Sequence, residues 1–439
     1  MTFDLNETHN PSARSFVESA NVVGCDFPIQ NLPFGAFAVA DQSCTKLCVA
    51  IGDQVFDLHT AVERRLLDVD DSTCEALQEP CLNPLMGLGP ARWHAVRKAI
   101  FELLLTDSKQ RDAAVGCLLP QRDVTLVLPV AVHDYTDFYA SVHHAQNVGA
   151  LFRPDNPLLP NYKWVPIGYH GRASSIVISG TDVRRPLGQL MAPQSDAPTF
   201  SPSRRLDYEL EVGAFVGVGN QLGEPIPISQ ASGHLFGLCL LNDWSARDVQ
   251  TWEYQPLGPF LAKSFATSLS PWVITTEALA PYRLASTRPE GDPLPLAYLS
   301  CAEDQQRGAF DITVEVCLRS KKMREAGCAP HLVSRGNLRD MYWTFAQMLA
   351  HHSSNGCNLR PGDLLGSGTI SGPAPDARGC LLELSRGGAE PLLLPDGTQR
   401  TFLEDGDEVI MRGRCARAGA ARIGLGECRG IVLPARSIE

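Results

Sequence analysis

The apolar runs in this chain are short, rich in β-branched and aromatic residues, and bounded by glycine, proline and small polar residues. Such runs read as strands separated by turns. Near the start, Ala36–Ala40, Leu47–Ile51 and Val55–Leu58 are separated by Asp41-Gln42-Ser43 and Gly52-Asp53. Further along, Ser175–Ser179, Leu206–Val218, Leu235–Leu241, Phe310–Leu318, Leu381–Leu384 and Glu408–Met411 read the same way. An apolar helical face appears in Pro90–Leu105, through Trp93, Val96, Ile100 and Leu103. It appears again in Leu338–His352, through Leu338, Tyr342, Phe345 and Leu349, ending before Gly356. Strands that are not regularly followed by helices do not build a doubly wound parallel sheet. The expected class is mainly β with some α. A chain of 439 residues is long for a single core, so two domains are expected, over 1–125 and 126–439.

The net charge of −11 argues against a nucleic-acid partner, which needs a basic face. The opening MTFDLNETHNPS has no basic or apolar signal region, and the longest apolar runs are too short for a membrane span. The 14 cysteines are scattered without a C-x-x-C, and Cys44 and Cys48 are the closest pair. They read as reduced thiols of a soluble cytoplasmic chain.

Several acidic residues stand where chemistry is plausible. In LDYELEVGAFVGV, read as one strand, Asp207, Glu209 and Glu211 share a face. Carboxylates two residues apart on a strand lie roughly 7 Å apart at Cα and can converge on one cation. A solvated outer face fits the same alternation. An apolar strand ends at Asn242-Asp243. If 243–254 is helical, Asp243, Arg247, Gln250 and Tyr254 form one polar stripe, either a site or an exposed face. Lys263, in the Pro- and Gly-bounded loop LGPFLAKSFAT, either reaches solvent or attends an anionic ligand. In DYTDFYASVHHAQNVGALFR, Asp137 reads as a helix cap that shares a face with Ser141 and His144. His143 points about 100° away. Tyr139 and Arg153 flank this segment. Thr369 lies in a Gly/Ser turn, and Glu383 sits on a short strand, either solvated or orienting a histidine.

The strings DYTDFY, NVGALFR, GYHGRASS, LDYELE, GEPIPIS, NDWSARDVQTWEYQPLGPFLAKSF, HHSSNGCNLRPGDLLGSGTISGP and FLEDGDEVI resemble the fumarylacetoacetate hydrolase family, as do DFPIQNLPFGAF and VAIGDQVFDL nearer the start. The resemblance covers nearly the whole chain. It implies a small SH3-like β-barrel domain over 1–125 and a larger mixed β-roll catalytic domain over 126–439. It implies metal-dependent hydrolysis of the carbon–carbon bond of 4-fumarylacetoacetate to fumarate and acetoacetate, the last step of tyrosine and phenylalanine catabolism. The implied metal ligands are Asp137, Glu209, Glu211 and Asp243, with Lys263 and Thr267 in the segment the family uses at its Mg²⁺ site. Oxygen ligands alone suit Ca²⁺ or Mg²⁺. The implied general base is His144, partnered by Glu383, with Arg247, Gln250 and Lys263 at the reacting carbonyl. The implied substrate contacts are Tyr139, Arg153, Tyr169, Gln250, Tyr254 and Thr369. A cytoplasmic homodimer acting on a small diketo acid is implied as well. Residues Ala140–His143, Gly327–Arg335 and Arg378–Cys380 depart from the family pattern, and the first leaves His143 as the alternative base. Two other readings keep the carboxylates: decarboxylation or hydration of small keto acids, as in related folds, and a structural Ca²⁺ in a binding protein.

Overall fold

The computed structural model describes residues 4–38 and 45–437. The chain is mixed, mostly β with short helices. Near the N-terminus, five strands form a sheet in the order Leu118–Pro120, Gln54–Asp57, Thr45–Ile51, Phe34–Ala38, Thr125–Val127, all neighbours antiparallel. The expected strand at Ala36–Ala40 begins earlier, at Phe34. Its last two residues, the Asp41-Gln42-Ser43 turn and Cys44 lie outside the described residues. The expected helix runs Pro90–Leu104 and buries Trp93, Val96, Ile100 and Leu103. Several short helices have no counterpart in the sequence reading, among them Leu58–Glu63 and Asp71–Gln78. Each of these two starts at an aspartate, Asp57 or Asp70, whose carboxylate accepts an N–H of the first turn.

The large sheet of the C-terminal part follows the order Gly168–His170, Tyr135–Phe138, Leu364–Gly366, Leu210–Val216, Leu235–Asp243, Thr267–Leu269, Ile176–Ile178. A second sheet orders His331–Asn337, Thr313–Arg319, Glu408–Cys415, Ile423–Leu433 and Val183–Arg184. Both faces of the large sheet are buried. Tyr135, Phe215, Leu241, Leu269 and Leu364 join the core of the N-terminal unit. Phe138, Val212, Ala214, Leu240 and Leu365, on the opposite face, join the core of the C-terminal part.

Four expected elements are corrected. The Leu206–Val218 run is two strands, Leu206–Asp207 paired with Ser245–Ala246, and Leu210–Val216 in the large sheet. Asp207 therefore leaves the line of Glu209 and Glu211. The expected strand Leu381–Leu384 is one helical turn. Its cause is remote in sequence: the Asp207 carboxylate accepts the N–H groups of Leu381 and Leu382 at 2.8 and 3.0 Å, capping the turn from outside. The expected helix Leu338–His352 starts only at Phe345, where Thr344 and Gln347 form a capping box. Leu338 and Tyr342 are buried outside it, so their spacing reported burial and not helix. Phe310–Leu318 is interrupted between Ala309–Phe310 and Thr313–Arg319. The 13 described cysteines are free thiols. No described helix is long and apolar enough to cross a membrane.

Asp304 ties this core together at a cost. Its Oδ1 accepts the Thr344 hydroxyl at 2.8 Å, and its buried Oδ2 has no partner among the described residues. Burial pushes its carboxyl up to about 6 against a usual 3.8, the Thr344 bond opposing only in part. A raised folded-state value means that the native protein binds the extra proton. The contribution is favourable below the unfolded value and is lost as pH rises through the folded one, a swing of about 3 kcal/mol. Asp304→Asn removes this dependence. Urea unfolding should show the variant gaining on the parent between pH 4 and pH 7. A constant difference across that range would count against the account.

Candidate active site

Strand register builds the acidic centre. Asp137 lies beside Gly366, Gly366 pairs with Gly213, Glu211 pairs with Leu241, and Asp243 pairs with Thr267. Asp137, Glu211 and Asp243 thus emerge on the sheet face that also carries Tyr135, Phe215 and Leu241. Glu209, in the break before its strand, turns into the same space. One oxygen from each of Asp137, Glu209, Glu211 and Asp243 lies within 4.8 Å of the others, and all four residues are buried. Two glycines make room. A Cβ at Gly366 would stand 2.4 Å from Asp137 Oδ1. Gly368, at φ +71°, directs its N–H to Asp137 Oδ1 and Glu211 Oε2 at 3.2 and 3.1 Å.

Two expectations of local structure change here. Asp137 lies on the strand Tyr135–Phe138, and the cap of the following helix, Val142–Phe152, is Ser141. Asp243 ends a strand, and the helix of the polar stripe spans only Arg247–Glu253. In both cases the acid and its partners meet through packing instead of through one helix face.

The electrostatics of this cluster are strained. Burial, reinforced by Asp243, holds the Asp137 carboxyl well above its usual range, and burial together with Asp137 does the same to Glu211. Burial would raise Glu209 too, but Lys263 and Arg247 outweigh it and bring that carboxyl down to about 2. Lys263 bonds Glu209 Oε2, and reaches Asp243 Oδ2 at 2.7 Å. Tyr169 donates to the same Asp243 oxygen at 2.6 Å, and Thr267 to Asp243 Oδ1 at 3.3 Å. Arg247 spans Asp207 at 2.9 Å and Glu209 at 2.7 Å and donates to Gln250 Oε1 at 3.1 Å. Its Nη2 is buried and has no protein partner among the described residues. Glu211 Oε1 is likewise buried without a partner. An all-oxygen set with one orphaned oxygen and two carboxyls that resist ionisation fits a hard divalent cation.

A second constellation stands beside the first. His144 Nδ1 lies 2.6 Å from Glu383 Oε2, both buried. Burial opposes ionisation of Glu383, but the His144 ring outweighs it and brings the carboxyl down to about 2. An ionised Glu383 only accepts, so Nδ1 donates to it and Nε2 is the ring nitrogen left for another partner. Asn147 donates to Glu383 Oε1 at 2.8 Å, and the Ser371 hydroxyl to Oε2 at 2.9 Å. The Cys380 thiol stands 3.1 Å from Oε2. Ser141 caps His144's helix and donates to the Ser371 carbonyl at 2.9 Å, joining the two sides of the dyad.

Both constellations open on one cavity of about 560 Å³. Asp137, Glu209, Glu211, His144, Arg247, Gln250 and Lys263 line it, together with Tyr139, Arg153, Tyr169, Tyr254 and Thr369. His144 faces this cavity and its neighbour His143 does not. Tyr139 packs edge-on against His144 with ring centroids 5.3 Å apart. Sequence reasoning missed Asp207 as the partner of Arg247, and Asn147, Ser371 and Cys380 around Glu383. Only Asn147 left a local signal, three residues after His144 on one helix face.

An oxygen-lined cation site and a histidine–carboxylate pair facing one cavity define an enzyme. Residues 134–432 match the family described as fumarylacetoacetate (FAA) hydrolase, C-terminal, and residues 30–129 match fumarylacetoacetase, N-terminal. The chain is 50% identical over 418 residues to the fumarylacetoacetase of Bos taurus, covering 94% of this chain and 97% of that protein. It is 48% identical over 415 residues to the Homo sapiens fumarylacetoacetase, covering 93% and 97%, and 46% over 431 residues to that of Arabidopsis thaliana, covering 96% and 98%. A fumarylacetoacetate hydrolase structure from Exiguobacterium antarcticum matches the fold with a TM-score of 0.51 at 16% identity, over 92% of this chain and 100% of that one. The chain belongs to the fumarylacetoacetate hydrolase family.

The cage makes a testable trade. Glu211→Gln replaces a buried carboxyl whose ionisation is costly with a neutral amide, and should raise the melting temperature of chelated protein. A divalent cation at a hundredfold its dissociation constant stabilises a site by about 2.7 kcal/mol. The parent should show that rise with Ca²⁺ or Mg²⁺, and the variant should lose most of it. Equal rises in both would exclude Glu211 from the site.

Proposed function

We propose that the chain hydrolyses the carbon–carbon bond of 4-fumarylacetoacetate to fumarate and acetoacetate, the closing step of tyrosine and phenylalanine catabolism. The observation that carries this is the His144–Glu383 pair, 2.6 Å apart, on the same cavity as the four-carboxylate site. Relatives named fumarylacetoacetase, 46–50% identical over nearly the full chain, support the substrate.

Cleaving this bond needs a nucleophilic water and a home for the electron pair that leaves with acetoacetate. His144 Nε2 takes a proton from water, while Glu383 holds the ring and stabilises the imidazolium. The oxygen adds to the ketone carbon next to the double bond. Arg247, through its unpartnered Nη2, together with Lys263 and Gln250, stabilises the oxyanion that forms. The oxyanion then collapses to the carboxyl of fumarate. The carbon–carbon bond breaks, and its electron pair leaves on the acetoacetate carbon as an enolate. The imidazolium proton goes to that carbon, which restores His144. Tyr139, Arg153, Tyr169, Tyr254 and Thr369 seat the substrate. Asp137, Glu209, Glu211 and Asp243, with Lys263 and Thr267 beside them, would hold a Ca²⁺ or Mg²⁺ ion, which would supply Lewis-acid charge to the reaction. In this reading the chain divides into an SH3-like domain over 1–125 and a catalytic domain over 126–439. It works in the cytoplasm as a homodimer, without nucleic-acid or membrane partners, as the family resemblance and the charge of −11 suggest.

His144→Ala should lower turnover by roughly 10²- to 10⁴-fold and leave cation-induced stabilisation intact. Loss of the conjugated diketone's ultraviolet absorbance measures the first, and thermal melts with and without cation measure the second. Turnover like the parent's would refute the mechanism. In the same assay, chelation should stop the parent enzyme and re-addition of Ca²⁺ or Mg²⁺ should restore it. Decarboxylation of oxaloacetate without diketone cleavage would instead mark a keto-acid decarboxylase.

A further inference from the structure

Of the four guanidinium or ammonium groups that line the cavity, two are already neutralised. Arg247 is held by Asp207 and Glu209, and Lys263 by Glu209 and Asp243. The other two, Arg153 and Arg205, form no ion pair among the described residues, although both line the same cavity. Arg153 is exposed and Arg205 half-buried, and each is held by protein contacts. Arg153 donates from Nη2 to the Pro157 carbonyl at 3.1 Å. Arg205 donates from Nη2 to the Gly387 carbonyl, and its guanidinium carbon stacks over the Phe402 ring, 4.8 Å from the centroid. Its own carbonyl accepts the Arg247 N–H at 2.9 Å, so the backbone of Arg205 is fixed to the wall that carries the oxyanion donors.

A guanidinium has five N–H donors in a planar fork, and Arg205 spends one face on a ring and one nitrogen on a carbonyl. Its Nε and Nη1 donors have no protein partner among the described residues. A cation so oriented and left without a countercharge, on an acidic protein, is suited to receive a carboxylate. We propose that Arg205 is a specificity-determining residue: with Arg153 it makes the pocket select a diketo acid bearing a carboxylate at each end, and it holds one of the two. This rests on the activity proposed above. The structural alternative is that Arg205 only clamps the 386–402 segment through Gly387 and Phe402.

The test uses the full-length, cation-loaded protein with Arg205→Met and Arg205→Lys. For 4-fumarylacetoacetate, Arg205→Met should raise KM roughly 10- to 100-fold with kcat nearly unchanged, the signature of a lost ground-state contact, and Arg205→Lys should fall between. Calorimetric binding of two non-reacting probes separates this from the activity. Suberate matches the substrate's eight-carbon dicarboxylate length, and octanoate has one carboxylate only. The parent should prefer suberate, and Arg205→Met should lose most of that preference while holding octanoate nearly as before. Equal weakening of both probes, or equal loss in kcat and kcat/KM, would mean a structural clamp and overturn the proposal. An unchanged KM and an unchanged preference would overturn it too. If the parent prefers suberate through Arg205 but does not cleave the diketo acid, the activity reading fails and the role of Arg205 stands.

Discussion

Four carboxylates buried against one another are the constraint on which the rest of this structure depends. Taking a single unpaired ion out of water costs several kcal/mol, and like charges add repulsion. The fold answers with fixed positive charge. Lys263 bridges Glu209 and Asp243, and Arg247 bridges Glu209 and Asp207. Both cations attend Glu209 first, so that carboxylate is fully ionised while Asp137 and Glu211 are left short of countercharge. The deficit falls on the side of the cluster where Glu211 Oε1 has no partner among the described residues, which is where a divalent cation would fit. Lys263 and Arg247 are thereby kept protonated on the cavity wall, and in the proposed mechanism the groups that balance the acid cluster also serve the reacting carbonyl.

Asp207 shows how far that network reaches. Its carboxylate anchors Arg247 and also caps the helical turn of Glu383 through the amides of Leu381 and Leu382. One buried acid therefore sets the position of Arg247 and of Glu383, the proposed oxyanion donor and the proposed partner of the base. Asp207 touches neither the cavity nor the cation cluster, yet both constellations meet at it. Removing its charge would release Arg247 and uncap the Glu383 turn together, so its effect on activity cannot be divided between the two.

This explains what was and was not legible in the sequence. The strands, the helix Pro90–Leu104 and the mainly β class follow from local periodicity, because apolar burial is written residue by residue. The site is not local. Asp137 reads as a helix cap and Asp243 as the head of a helical stripe, yet each is the last or near-last residue of a strand. Glu383 reads as a strand residue because the cap that makes it helical lies at Asp207, 174 positions before Leu381. The family resemblance grouped these residues before any geometry did. It named the acids and the dyad, but not Asn147, Ser371 and Asp207, whose roles exist only as contacts.

The N-terminal unit acquires a function from the same geometry. The three strand-borne acids share a sheet face with Tyr135, Phe215, Leu241 and Leu364, and those residues belong to the core of the N-terminal unit. That face is apolar where the unit covers it and acidic where the strands run past its cover. Tyr135 stands two residues from Asp137, and Leu241 two from Asp243, so successive same-face positions along a strand pass from apolar packing to the acidic cluster. A shift of one residue in either strand would put its acid on the opposite face, in the apolar core. The register that packs Tyr135 and Leu241 into the core of the N-terminal unit is thus the same register that brings the acids together.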